Sequence, residues 1–148
     1  MPKLDLESIP QRNATGYPAA FANVVQGRWY RRLSVAAGLE DFGVSHVVLK
    51  PGAWSAQRHW HEIEDEFLVM VSGTATLVDD HGETPLAAGD CVAFPKNDGN
   101  GHCVINNSAL DCTFVVVGQN KNGVCHYPDI DLHLPDGNTF TRKDGRRY

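Results

Sequence analysis

Hydrophobic residues recur along the middle of this chain in short runs that alternate with polar positions, and turn-forming residues separate the runs. Val44–Lys50 is rich in β-branched residues and ends at Pro51 and Gly52. Glu66–Ser72 ends in the same way at Gly73. No segment carries a 3.6-residue apolar period long enough for a major helix. The pattern predicts strands over 28–35, 44–50, 58–62, 66–72, 74–78, 84–86, 90–94, 102–106 and 112–117.

Strands that are this short and this evenly spaced favour a β-sandwich or a β-barrel. The two ends of the chain differ from the middle in composition, because Pro, Gly and Asn lie between isolated apolar residues. We expect these arms, 1–27 and 119–148, to pack on a barrel core of residues 28–118, so that residues 1–148 form a single domain. The apolar anchors of the arms are predicted to be Tyr17, Phe21, Tyr127, Leu134 and Phe140.

Composition and charge narrow the classes of function. The 148 residues include 13 Lys and Arg against 18 Asp and Glu, for a formal net charge of −5. This balance argues against non-specific binding to nucleic acid, which needs a basic surface. No stretch approaches the roughly 18 apolar residues of a membrane span, and the first residues lack the pattern of a signal peptide. We therefore expect a cytoplasmic protein that binds neither nucleic acid nor a membrane.

The four cysteines, Cys91, Cys103, Cys112 and Cys125, do not show the paired spacing of a zinc site. We expect them to be free thiols, mostly buried. If residues 106–111 form a hairpin turn, Cys103 and Cys112 would lie nearly opposite each other on paired strands. A disulfide between them is then possible, although it is not expected.

Three of the seven histidines have a spacing that suits a metal site. His59 and His61 are two residues apart, so on a strand both side chains project from one face. Glu66 begins the next predicted strand after a four-residue link, and His102 opens a later one. Three neutral imidazoles and one carboxylate suit one divalent ion of Mn, Fe, Co, Ni or Zn and leave coordination positions open.

These residues lie in two motifs that resemble those of the cupin superfamily. The first family motif, G-x5-H-x-H-x3,4-E-x6-G, is matched by Gly52, His59, His61, Glu66 and Gly73, with one extra residue before the first His. The second, G-x5-P-x-G-x2-H-x3-N, is matched by Gly89, Pro95, His102 and Asn106, with two additional residues between the Pro and the His. The resemblance covers residues 52–106.

Short segments outside the motifs resemble a group of small bacterial cupins described as sugar-phosphate isomerase-like or mannose-6-phosphate isomerase-like. These segments are 16–18, 36–43, 126–132 and 140–145. The resemblance implies an all-β fold, a single-domain cupin β-barrel (a double-stranded β-helix or jelly-roll) with extended N- and C-terminal arms. It implies His59, His61, Glu66 and His102 as metal ligands. It also implies a homodimer formed through barrel faces and exchanged terminal strands.

The surroundings of the predicted ligands carry further expectations. His46 lies on a strand that could line the same pocket, and Gln57 shares the phase of the two paired histidines, so its amide could point toward the metal. The residues expected to wall a mainly apolar pocket are Met70, Ser72, Phe94 and Val104. The acidic link residues Glu62, Glu64 and Asp65 fit either a solvated loop or partners of the metal ligands. The basic residues Arg28, Arg31, Arg32, Lys50, Arg58 and Lys96 are predicted to be surface charges rather than phosphate ligands.

Three functions remain open at this stage. The first is a metal-dependent isomerase-like enzyme acting on a small oxygen-rich molecule, a sugar or sugar phosphate. The second is a metal-dependent dioxygenase, and the third is a non-enzymatic module that binds a sugar or small acid around a metal. Basic side chains that converge on the metal would favour a phosphorylated substrate. Spacing assigns no catalytic base, and the candidates are Glu62, Glu64, His46 and Tyr30.

Overall fold

A computed structural model describes residues 3–119 and 121–148 and confirms an antiparallel, mainly β protein. The strands in these ranges are β1 (Arg28–Arg32), β2 (Phe42–Leu49), β3 (Trp60–His61), β4 (Glu66–Ser72), β5 (Thr74–Asp79), β6 (Gly82–Ala87), β7 (Cys91–Phe94), β8 (Cys103–Ile105), β9 (Cys112–Gln119), β10 (Cys125–Tyr127) and β11 (Leu132–Leu134). The short helices are α1 (Ala19–Ala22) and α2 (Leu33–Ala37), with 3-10 turns at Leu6–Ser8 and Asn23–Val25. None of the helices in the described part of the chain is long and apolar enough to cross a membrane.

The strands form two layers. One layer is a five-stranded sheet in the order β1-β2-β9-β4-β7. The other contains two three-stranded sheets, β6-β5-β8 and β11-β10-β3. Isolated bridges between Trp54 and Ile105, and between His59 and His102, join β8 to the segment that leads into β3. This segment therefore links the two small sheets into one face of the barrel.

The main core lies between these layers and is built from residues that alternate along the strands. On β4, Leu68 and Met70 are 2% and 1% exposed, whereas Phe67 and Val71 on the opposite face are 42% and 52% exposed. Phe114 on β9 is also buried in this core. The period-2 pattern of the sequence thus decides which face of the sheet is covered.

The residues predicted to anchor the arms form a second apolar cluster at one end of the barrel. Tyr17 and Phe21 from the N-terminal arm pack against Tyr127, Leu132 and other residues of the C-terminal arm, Leu134 and Phe140 among them. Backbone hydrogen bonds between Arg12 and Tyr30 also hold the N-terminal arm beside β1. The two arms together cover one mouth of the barrel.

Two expectations differ from the structure. The first predicted strand, 28–35, ends at Arg32, because Leu33–Ala37 forms α2, which Gly38 terminates in the left-handed conformation with φ 69°. Ser72 does not share the inner face with Met70, because a bulge shifts the register between them. Ser72 is accordingly exposed.

The strands that carry Cys103 and Cys112 do not pair with each other. β8 pairs with β5, whereas β9 pairs with β2 and β4 in the other layer. All four cysteines are free thiols. The geometric condition for a disulfide is therefore absent at this pair, and the expectation of free thiols is confirmed.

Candidate metal centre

Four side chains from separate segments converge between the two layers. His59 and His102 face each other across the isolated bridge, where each backbone N–H donates to the carbonyl of the other residue. His61 lies on β3 and Glu66 is the first residue of β4. Oε2 of Glu66 lies 3.1 Å from Nε2 of His102 and 3.5 Å from Nε2 of His61. Nε2 of His59 lies 3.8 Å from the same oxygen.

Backbone carbonyls orient two of the imidazoles. Nδ1 of His59 lies 2.8 Å from the carbonyl oxygen of Gln57, and Nδ1 of His102 lies 3.4 Å from that of Asn100. A proton on Nδ1 that is donated to a carbonyl leaves the lone pair of Nε2 free. In both residues Nε2 is the atom that faces Glu66, so the tautomer and the ring orientation both suit a metal ligand.

Aromatic rings hold the imidazole planes in place. Phe94 on β7 stacks on His102 with ring centroids 3.6 Å apart and planes within 8° of parallel. Tyr127 on β10 stacks on His59 at 5.8 Å. Such contacts lock the rotamers of side chains that must keep a fixed geometry.

Burial and charge set the protonation states of the centre. Burial lowers the pKa of His59 to about 4, more than the nearby carboxylate raises it. It also lowers the pKa of His61. Burial alone would raise the pKa of Glu66, but the hydrogen bond with His102 and the three surrounding imidazoles bring it to about 2. At neutral pH His59 and His61 are therefore neutral imidazoles beside an ionised Glu66 carboxylate, and these are the metal-binding forms.

Among residues 3–119 and 121–148, two overlapping sets of ligand atoms are compact enough to hold an ion. In one, ligand atoms of His59, Glu66 and His102 all lie within 4.8 Å of one another, and in the other His59 and His61 are grouped with Cys125 in the same way. Burial raises the pKa of the Cys125 thiol to about 12. Because the thiolate rather than the thiol binds metals, the set that includes the Glu66 carboxylate fits a divalent ion better.

The acidic link residues between β3 and β4 each have a distinct partner. Oε2 of Glu64 lies 3.7 Å from Nδ1 of His61, so this side chain stands behind one of the predicted ligands. Burial raises the pKa of Glu64 to about 8. Oε1 of Glu62 lies 2.8 Å from Nε2 of His126, and Asp65 accepts a hydrogen bond from the backbone N–H of Lys96. Each acidic residue of the link therefore has a specific partner, and Asp65 is also exposed to solvent.

The four predicted ligands lie in the wall of a cavity of about 720 Å³. Apolar residues from both layers line it, among them Leu68, Phe94, Val104, Phe114 and Val116. Phe94 and Val104 were predicted here, whereas Met70 lies in the closed core instead. A cavity of this size and lining is typical of small-molecule sites.

Residues of the two arms also line the cavity, and sequence reasoning treated the arms only as packing elements. Arg12, Thr15 and Tyr17 come from the N-terminal arm, and Cys125 and Tyr127 from the C-terminal arm. Burial raises the pKa of Tyr17. The signal that could have found these residues is the concentration of Arg, Tyr and Thr in a segment that otherwise contains turn-forming residues.

The basic residues predicted as surface charges differ in their surroundings, and on β1 Arg28 is partly buried whereas Arg32 is exposed. Arg28 and Arg32 line the cavity together with Tyr30, because these three residues share one face of the strand. Arg31 points to the other face and pairs with Glu7. Arg58 is 17% exposed and pairs with Asp129 and Asp80.

Two other expected pocket residues lie elsewhere. His46 is on the outer face of β2, between Ser45 and Val47, which line the cavity. The side-chain amide of Gln57 donates to the carbonyl of Phe21, so this residue meets the centre through its backbone oxygen instead. Of the four candidates for an acid–base group, only Tyr30 lines the cavity.

Comparisons with known proteins agree with this architecture and site. A family model described as a cupin domain matches residues 45–118. A cupin-superfamily sugar phosphate isomerase from Silicibacter pomeroyi DSS-3 is 44% identical, with a TM-score of 0.94 over 99% of this chain and 96% of its own. A provisionally assigned sugar phosphate isomerase from Acidithiobacillus ferrooxidans is 28% identical, with a TM-score of 0.73 over 83% and 82%. The polyketide cyclase RemF from Streptomyces resistomycificus, 18% identical with a TM-score of 0.69 over 98% and 89%, shares the fold.

A search of curated proteins gave no significant match. The fold is a double-stranded β-helix barrel, and its cluster of imidazoles and a carboxylate could hold a metal ion. The chain belongs to the cupin superfamily.

Proposed function

We propose that this protein is a metal-dependent cupin that acts on a small oxygen-rich molecule, a sugar or sugar phosphate, in an isomerase-like reaction. The convergence of three Nε2 atoms on one oxygen of Glu66, in the wall of a 720 Å³ cavity, is the observation that carries this proposal. Similarity to the Silicibacter pomeroyi sugar phosphate isomerase supports the reaction type. His59, His61, Glu66 and His102 would hold the ion.

A divalent ion at this centre would supply Lewis-acid polarisation of a substrate carbonyl or hydroxyl. The protein supplies the orientation, because the Gln57 carbonyl and the stacked Tyr127 ring fix the His59 imidazole. Leu68, Val104 and Phe114 give part of the cavity wall an apolar surface. Burial raises the pKa of Tyr17, so this hydroxyl keeps its proton at neutral pH and can donate a hydrogen bond to a substrate oxygen.

Partners and location are part of the same proposal. We propose that residues 1–148 act as one domain, and that two copies associate through the outer face of the five-stranded sheet. Phe67 and Val71 are exposed on this face. On the neighbouring strand β9, Val117 pairs with Phe67 and Val115 pairs with Val69. Burial of such a contiguous apolar surface is favourable. The free buried thiols support a reducing, cytoplasmic location.

Turnover of a panel of aldoses, ketoses and their phosphates, with and without O₂, tests the reaction type. We expect conversion between an aldose and a ketose form without O₂ uptake. The double variant His59→Ala/His102→Ala should lose at least about a hundredfold of this turnover, because two of the four ligands are absent. The matched control is His133→Ala, since this histidine pairs with residues outside the cavity.

Two results would contradict the proposal. Stoichiometric O₂ uptake with a diol or diketone would identify a dioxygenase instead. Saturable sugar binding with no conversion of any substrate would identify a non-enzymatic binding module.

A further inference from the structure

Positive charge is concentrated on the wall of the cavity that β1 and the N-terminal arm provide. Arg28 and Arg32 lie two residues on either side of Tyr30, and their guanidinium carbons lie 5.7 and 5.8 Å from its ring centroid. Arg12 lines the same cavity, and its backbone pairs with that of Tyr30. Because alternate residues on a strand share a face, the guanidinium groups of Arg28 and Arg32 flank the Tyr30 ring on the same side of β1. Arg28 is partly buried, whereas Arg12 and Arg32 are exposed where they line the cavity.

No carboxylate neutralises these arginines among the described residues. The ion pairs within residues 3–119 and 121–148 leave out Arg12, Arg28 and Arg32. Glu66 is the one acidic residue of the described cavity wall, and it belongs to the metal centre. In a chain with a net charge of −5 this cavity is therefore a local site of positive charge. A bound divalent ion would increase it.

The Arg28 side chain has an unused donor. Its Nη1 donates to the carbonyl of Ser55 at 2.7 Å, which fixes the guanidinium against the barrel wall. Its Nε is buried and has no hydrogen-bond partner in the described part of the chain. An unpaired buried N–H destabilises the protein, and a ligand acceptor would remove this cost. A guanidinium held in this way is suited to bind a phosphate oxygen.

We propose that Arg12, Arg28 and Arg32 form an anion subsite that binds the phosphate group of a phosphorylated substrate, while the oxygen-bearing carbons of the substrate reach the metal centre. The inference rests on the proposed function, because it names the substrate class of the same cavity. A phosphate monoester fits because its dianion has three acceptor oxygens for several guanidinium donors. The Tyr30 hydroxyl, which donates to the Ala14 carbonyl, ties the arm that carries Arg12 to this wall.

Titration calorimetry with inorganic phosphate tests the subsite, using the full-length protein as purified and again after treatment with a chelator. We expect phosphate to bind in both cases, with an affinity that falls as ionic strength rises. Arg28→Gln and Arg32→Gln should each weaken binding by roughly tenfold or more. Arg146→Gln, which removes one exposed arginine outside the cavity, is the charge-matched control and should bind like the native protein.

One further variant and a second anion distinguish the possible results. Arg28→Lys keeps the charge but loses the planar fork, and should bind more weakly than native and more tightly than Arg28→Gln. Acetate should bind more weakly than phosphate. Loss of phosphate binding on chelation, equal binding by native protein and both Gln variants, or equal affinity for acetate and phosphate would each overturn the subsite. Since no turnover is measured, the result does not depend on whether the protein is an isomerase.

Discussion

Asn106, the last residue of the second motif, has a structural rather than a ligating role. Its side chain is fully buried, and its amide nitrogen donates to the carbonyls of Leu49 and Leu110. Its Oδ1 accepts from the backbone N–H and the hydroxyl of Ser108. One amide therefore closes the turn between β8 and β9 and ties it to the end of β2.

Replacement of Asn106 should therefore destabilise the fold. Asn106→Ala removes the buried amide with all of its hydrogen bonds and takes this donor from the buried carbonyl of Leu49. We expect a loss of about 2–4 kcal/mol in the free energy of unfolding. Urea unfolding measured by circular dichroism gives this value. Asn107→Ala, at the exposed neighbouring position, is the matched control and should change stability by less than about 0.5 kcal/mol. Equal stability of the two variants would contradict this role.

The convergence of His59, His61, Glu66 and His102 could be predicted from strand phase and motif spacing, and their role as metal ligands stays a prediction. The groups that orient them could not be predicted. The carbonyl of Gln57 and the ring of Tyr127 act through backbone geometry and through an arm that joins the barrel only in three dimensions. Local sequence pattern carries no information about such contacts.

Gly73 shows why the motif ends as it does. Its φ is 73°, and a Cβ there would lie 2.7 Å from the carbonyl oxygen of Asp111 and 2.9 Å from Cα of Cys112. Only glycine combines this left-handed conformation with so close an approach of two backbones. The requirement is steric, and it lets β4 turn directly into β5 and cross to the other layer.

At the scale of elements, the strands were predicted well and the short helices were not. The alternation of apolar and polar residues locates β2, β4, β5 and β9, since each has one covered face. α2 was not predicted, because five residues are too few to show a helical period. Its end was marked in the sequence by Gly38, which takes the left-handed conformation that terminates helices.

The outer face of the five-stranded sheet carries the proposed dimer contact. We expect light scattering to show a dimer for the native protein and a monomer for Phe67→Glu, because the variant places a charge within the buried apolar contact. Leu110→Glu is the matched control, since Leu110 is 76% exposed in the turn before β9 and away from this face. It should remain a dimer. A native monomer, or a dimer that survives Phe67→Glu, would contradict the contact.

At the scale of the whole molecule, the cavity is assembled from residues that are far apart in sequence. Its wall runs from Arg12 in one arm to Leu134 in the other, with β1, β4 and β8 between them. The net charge of the chain is negative, so it did not predict that three arginines would line the same cavity. Which side of a strand faces the cavity depends on the order of the strands within the sheet. The sequence predicted only the order of the strands along the chain.

The metal content of the purified protein tests the central claim most directly. Elemental analysis of the native chain, expressed without added metal, should give about one divalent transition ion per chain. His59→Ala/His102→Ala should contain less than about a tenth of that amount, with an unchanged circular dichroism spectrum, while His133→Ala keeps the native content. A native protein without a bound ion, or a double variant that retains a full equivalent, would contradict the account.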